Sequence, residues 1–152
     1  MPIKILAVGK RNLSWVETAT TDYSKRLRAP FDIEWLIIPH SSHDGLVARQ
    51  EESKRLLSHI KPTDSVILLD ERGQQMTSPE LSRYLSAQFN RSASLVIIIG
   101  GAYGVNETIF QRANLTWSLS KLVFPHQLVR IILTEQIYRA QQIELGTNYH
   151  HK

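Results

Sequence analysis

The chain has 152 residues, a length that one domain fills, and 42% of them are hydrophobic, which fits a folded protein and argues against disorder. It has no cysteine, which excludes disulfides, thiolate metal sites and a cysteine nucleophile and fits a reducing compartment. The formal charge is +4, with the basic surplus in residues 1–50 and 101–152 and the middle balanced. Where the two ends meet, in the fold or in a dimer, that surplus makes a patch suited to phosphates; otherwise it serves only solubility.

The opening stretch, "MPIKILAVGKRN", has an apolar run too short for a signal sequence or a membrane span. Ile3–Gly9 is therefore predicted as a first strand and the protein as cytoplasmic. Ser14 and Glu17 have the spacing of a capping box, and Trp15, Ala19, Tyr23 and Leu27 recur every four residues, so a helix follows. "FDIEWLIIP" reads as a second strand ending at Pro39, and "HSSHDG" as a loop. From about Val47 to Ile60 a polar helix carries Leu56, Leu57 and Ile60 on one face. "SVILLD", Ser65–Asp70, is a short buried strand, and "ERGQQMT" a loop. Ser78, Pro79 and Glu80 start the next helix, with proline at its first position, where a missing N–H costs nothing. Leu81, Tyr84, Leu85 and Phe89 form its apolar stripe.

"SLVIII" is a fourth strand that runs into Gly100, Gly101 and Gly104. A short helix after Asn106 carries Ile109, Phe110 and Ala113. "TWSLSKLVF" supplies a fifth strand and a loop. Residues 125–145 form a long helix stopped by Gly146, and "GTNYHHK" is a tail. Strand and helix alternate five times, and the strands are apolar runs more than alternating ones. The expected class is α/β: a mostly parallel sheet with helices on both faces, in one domain spanning 1–152.

The glycines after the fourth strand pose the functional question. A dinucleotide fingerprint needs G-x-G-x-x-G after the first strand and an acidic residue about twenty positions on. Here the pattern is G-G-x-x-G after the fourth strand, with no such acid. A phosphate loop needs G-K-[ST], which does not occur. A ligand of another kind and a plain turn both stay open.

Three later features decide the direction. "LSKLVFPHQLVR" (Leu119–Arg130), "ILTEQIYRA" (Ile132–Ala140) and the terminal "YH", taken with "IIIGGAYG", closely resemble the RlmH-type members of the SPOUT methyltransferases. The similarity runs from "ILAVGK" to the tail and is densest after residue 95. The resemblance implies a C-terminal trefoil knot and a homodimer with the knots facing each other. It implies S-adenosyl-L-methionine bent into the knotted loops, held largely by backbone groups, with glycines letting the chain approach it. It implies methylation of N3 of a pseudouridine in large-subunit (23S) ribosomal RNA on the assembled ribosome, with neither a metal nor a membrane involved. Cofactor contacts carry over to Leu69, to Gly100 and Gly101, and to Leu119, Ser120, Lys121, Leu122, Val123 and Phe124. The tail "YHHK" departs from the family by an extra histidine, and "ERGQ" by placing its basic residue before the glycine.

An imide N–H is mostly protonated at neutral pH, so a methyl acceptor of that kind needs its proton removed or its anion stabilised. Four residues are candidates for this work. His126 stands after Pro125 at the start of the last helix, where it either accepts a proton or only caps the helix. Arg139 lies in an otherwise apolar helix, either paired with Glu135 one turn earlier or facing a base or phosphate. Tyr149 and His150 lie in a tail that either frays or orders over the site. Lys4, Lys10, Arg11, Lys25, Arg26 and Arg28 make a basic strip for RNA or a solvated face. The last helix is apolar on more than one side, which points to a buried subunit interface. Two other readings stand beside the enzyme: a non-catalytic, ribosome-associated RNA-binding protein with the same knotted fold, and a flavodoxin-like small-ligand domain.

Overall fold

The computed structural model describes residues 1–91 and 94–151; Lys152, the end of the expected tail, lies outside them. Ten elements follow one another: β1 (Ile3–Val8), α1 (Ser14–Ser24), β2 (Ile33–Ile38), α2 (Gly45–Leu57), β3 (Ser65–Gln74), α3 (Ser78–Asn90), β4 (Leu95–Ile99), α4 (Glu107–Arg112), β5 (Leu115–Trp117) and α5 (His126–Leu145). The five strands form one sheet in the order β2-β1-β4-β3-β5, with every pairing parallel.

Alternate strand residues supply two cores, which is why the strands read as apolar runs. Ile3, Ile5, Ala7, Ile67, Ile97 and Ile99 meet Leu81 and Leu85 of α3 and Leu133 and Ile137 of α5 on one face. Leu6, Val8, Val66, Leu68, Val96 and Ile98 meet Leu56 of α2 and Ile109 of α4 on the other. Each such fully buried side chain contributes about 1.5–3 kcal/mol relative to exposure.

Several local expectations need correction. Helix α1 has Leu13 at its N-cap with no side-chain cap, so Ser14 sits one position too late for a capping box. Glu17 instead accepts a hydrogen bond from Asn12 Nδ2 at 2.8 Å. Trp15 is 54% exposed; the buried face is Val16 and Thr20. The capping box that does form belongs to α3. Thr77 accepts from Glu80 N–H and Glu80 returns the bond to Thr77 N–H, which places Pro79 at the second helical position.

Helix α2 starts at Gly45 and ends at Leu57, so Ile60 packs on its core from beyond the helix. Strand β3 does not end at Asp70 but continues to Gln74, with a register shift against β5 between Leu69 and Gln74. Gly73 permits this, because a Cβ there would sit 2.5 Å from Thr116 O. Only Leu115–Trp117 of the expected fifth strand is a strand; the chain from Ser118 to Pro125 is loop.

The two ends of the chain are clasped together. Arg130 of α5 donates to Lys10 O and Asn12 Oδ1 at 2.8 and 2.9 Å. Gln127 accepts from Leu13 N–H and donates to Arg11 O.

Candidate active site

A cleft of about 610 Å³ opens at the carboxyl ends of β3 and β4, where parallel sheets place their ligands. Its walls come from three segments that the sheet and α5 bring together. The end of β3 supplies Leu68–Arg72, the glycine loop supplies Ile99–Val105, and the loop before α5 meets them from the far side. Leu69, Gly100, Gly101, Leu119, Ser120, Leu122, Val123 and Phe124 all line this one space, and His126 stands at its edge. Lys121 is exposed and does not form part of the wall.

The protein's own packing also calls for these glycines. A Cβ on Gly101 would lie 2.7 Å from Glu52 Oε1 and 3.0 Å from Val8 Cγ1, and one on Gly100 would lie 3.1 Å from Val105 Cγ1. They make room for the protein's own packing behind the loop. Gly104, at φ +74°, takes the left-handed turn that returns its N–H to Gly101 O at 3.0 Å.

Helix α2 then fixes this loop from behind. Arg49 Nε donates to Tyr103 O at 2.8 Å, and Tyr103 OH to Asp44 Oδ1 at 3.1 Å. Asn106 donates its N–H to Ser53 Oγ at 2.9 Å and its Nδ2 to Gln50 Oε1 at 2.7 Å. Glu52, only 3% exposed, accepts Ser41 N–H on Oε2 at 2.9 Å, while its Oε1 has no partner.

Charges surround the cleft in two arrangements. Arg72 grips Asp70 with Nε and Nη2 at 2.9 and 3.1 Å. Burial alone would raise the Asp70 carboxyl, but the bonds and charge of Arg72 outweigh it and hold the group below the ordinary carboxylate range. Across the cleft, burial first and the Arg130 charge second push the His126 imidazole below its usual value near 6.5, although the residue keeps an exposed surface. The ring is therefore neutral at neutral pH. Arg130 itself is 1% exposed, and its Nε has no acceptor. Among the described residues no carboxylate lies in ion-pair range of it.

Arg139, Tyr149 and His150 assemble elsewhere, around Glu135. Arg139 donates through Nε and Nη2 to Glu135 Oε1 at 2.9 and 2.6 Å, and Nη1 lies 3.1 Å from His150 Nδ1. Tyr149 OH donates to the same carboxylate oxygen at 3.2 Å, and its ring stands edge-on to Tyr138 with centroids 4.8 Å apart. Burial foremost, then the Glu135 charge, raises the Tyr149 phenol to about 12. So the Glu135–Arg139 pair exists, and the tail is held against α5 instead of fraying. Thirteen residues separate His126 from Arg139 on one helix, roughly 20 Å at 1.5 Å per residue. Within one protomer the two groups do not meet.

Residues 1–150 match the family described as "Predicted SPOUT methyltransferase". The chain belongs to the SPOUT methyltransferase family. Two curated relatives, from Cytophaga hutchinsonii and Pelobacter propionicus, are each named "Ribosomal RNA large subunit methyltransferase H". They are 37% and 40% identical, and each alignment covers 99% of this chain and 100% of the relative. Among solved structures, a probable methylase family protein from Haemophilus influenzae Rd KW20 shares the fold at a TM-score of 0.54 and 9% identity. That alignment covers 95% of this chain and 66% of the other.

In this SPOUT methyltransferase the sequence reading missed Arg49, Arg72, Tyr103 and Val129, which also line the cleft. For Arg49 the signal is tertiary: α2 lies far from the glycine loop in sequence, and nothing in its polar composition names the loop as its target. Among the described residues no group of three or more His, Asp or Glu could hold a metal, and no helix is long and apolar enough to cross a membrane.

Proposed function

We propose that the protein transfers a methyl group from S-adenosyl-L-methionine to N3 of a pseudouridine in large-subunit (23S) ribosomal RNA, acting in the cytoplasm on the assembled ribosome as a homodimer of one-domain, knotted subunits. The observation that carries this reading is the convergence of Leu69, Gly100, Gly101 and the loop residues Leu119, Ser120 and Leu122–Phe124 on one cleft in a chain whose full-length relatives are named large-subunit ribosomal RNA methyltransferases. The cleft suits the cofactor: its volume lies in the range of small-molecule sites, and its wall mixes apolar side chains with open backbone at a strand end.

When bound, the cofactor supplies a methyl group already activated on sulfur. What the chain must add is position, exclusion of water and management of one proton. His126 is a neutral acceptor at the mouth of the cleft, which suits removal of an imide proton. The N-terminus of α5 and the buried Arg130 charge favour the anion that remains. Leu119 and Phe124 close the wall against water. Arg139, Tyr149 and His150 reach a base through the dimer, with the tail of one subunit completing the cleft of the other. Leu122 and Val123, 70% and 81% exposed on the rim, and half-buried Leu128, Ile131 and Ile132 of α5 offer the apolar surface for that contact. RNA is read by shape and by capture of one exposed base, with basic residues at the two ends of the chain meeting phosphates.

The test uses large ribosomal subunits that lack the modification, incubated with the protein and labelled S-adenosylmethionine, followed by mass mapping of the RNA. One methyl on a single pseudouridine N3 is expected. Ribosome binding without any methylated RNA would favour the non-catalytic ribosome-binding reading, and no cofactor binding would end the methyl-transfer reading.

A further inference from the structure

Glu52 lies beside the cleft, behind Gly101, and the mechanism leaves it unused. It is 3% exposed and carries a carboxylate oxygen with no partner. That oxygen lies 2.7 Å from the point where a Gly101 side chain would begin, so only the glycine separates it from the ligand space. Among the other charges lining the cleft, Glu71, which is exposed, and Arg49 have no ion-pair partner among the described residues. Asp70 is gripped by Arg72, Arg49 Nε is bound to Tyr103 O, and Arg130 is bound to the loop after β1. Among the described residues Glu52 has no cation in ion-pair range. A buried carboxylate without a counter-charge costs stability, so its place behind a ligand wall points to a cation that arrives with the ligand.

We propose that Glu52 is the specificity-determining residue for cofactor charge: through Gly101 it favours the cationic, methyl-bearing donor over the neutral product left after transfer. This rests on the methyl-donor reading above. The physical basis is Coulombic. A ligand atom touching the cleft side of Gly101 lies roughly 8 Å from Oε1, and at an effective dielectric constant of about 20 the attraction is on the order of a tenfold preference after screening. Arg49, Arg72 and Arg130 oppose it: Arg72 is paired with Asp70, Arg130 is tied to the loop after β1, and Arg49, bound to a carbonyl, keeps its charge, so the Glu52 contribution is read as the difference that Glu52→Gln makes. Such a charge helps turnover, since it holds the donor and loosens the product.

The experiment is calorimetric titration of the wild-type protein, Glu52→Gln and Ser53→Ala with three ligands: S-adenosylmethionine, its ammonium analogue sinefungin, and neutral S-adenosylhomocysteine. Glu52→Gln is expected to weaken both cations about tenfold and the neutral product by less than about twofold. Ser53→Ala loosens the same loop without altering charge, and is expected to shift all three ligands together. Parallel loss for all three in Glu52→Gln, or no loss, overturns the proposal while leaving the methyl-donor reading intact. If no ligand binds the wild type, both fail. Should Glu52→Gln not fold, Glu52→Asp keeps the charge and is expected to keep the preference. Wild-type protein that binds the neutral product tenfold tighter than sinefungin also overturns it.

Discussion

Replacing Gly101 by alanine tests the packing behind the cleft. The added methyl would start 2.7 Å from Glu52 Oε1 and 3.0 Å from Val8 Cγ1. Neither neighbour is free to leave. Val8 is a core residue at 2% exposure, and Glu52 is buried and tied to Ser41 N–H. Overpacking of this kind costs about 1–3 kcal/mol, and disturbing the Ser41 bond adds about 1 kcal/mol. The expected loss is about 2–4 kcal/mol, read as a lower midpoint in urea with an unchanged slope. Gly104→Ala is the internal comparison, since a Cβ there meets nothing within 4 Å and only the left-handed backbone, φ +74°, resists it; its cost is about 1–2 kcal/mol. Because the clash involves the Glu52 carboxylate, Glu52→Ala combined with Gly101→Ala should be less destabilised than the two single variants summed. A Gly101→Ala protein as stable as wild type, or strict additivity in the double variant, would show that the carboxylate does not press on this glycine.

Other outcomes follow from the same geometry. Thr77→Ala removes one half of the α3 capping box and should cost about 1 kcal/mol in chemical denaturation. The folded state disfavours a proton on His126, so the unfolded chain binds more protons just below pH 6.5. Stability should therefore fall as pH drops through that region, and His126→Asn should flatten this part of the curve. Tyr149→Ala removes the contact with Tyr138 and the bond to Glu135, and should raise hydrogen exchange across residues 147–151 while lowering global stability by only about 1 kcal/mol.

The sheet was legible because both of its faces are buried: "IKILAV" and "LVIII" have no polar alternation to confuse, and glycine or charge ends each run. Helix α5 was legible from its length and its stop at Gly146. The errors came where a local signal competes with distant packing. Ser14 and Glu17 had the letters of a capping box, yet the helix begins one residue early, with Leu13 at the N-cap and its N–H bound by Gln127, more than a hundred positions away. "ERGQ" reads as a turn until β5 lies against it and Gly73 lets the two backbones close. At the site, the loop residues were found through their resemblance to a family, whereas the reason for Gly101 was invisible. It depends on Glu52, a residue that reads as an ordinary solvated charge on a polar helix.

The clasp between the two ends of the chain has a temporal consequence. Arg130 and Gln127 bind the turn after β1, so these bonds form only once α5 has docked. The rim of the cleft belongs to the same late segment. Contacts that span so much of the chain are slow to find, so the rim of the cleft takes its shape late in folding.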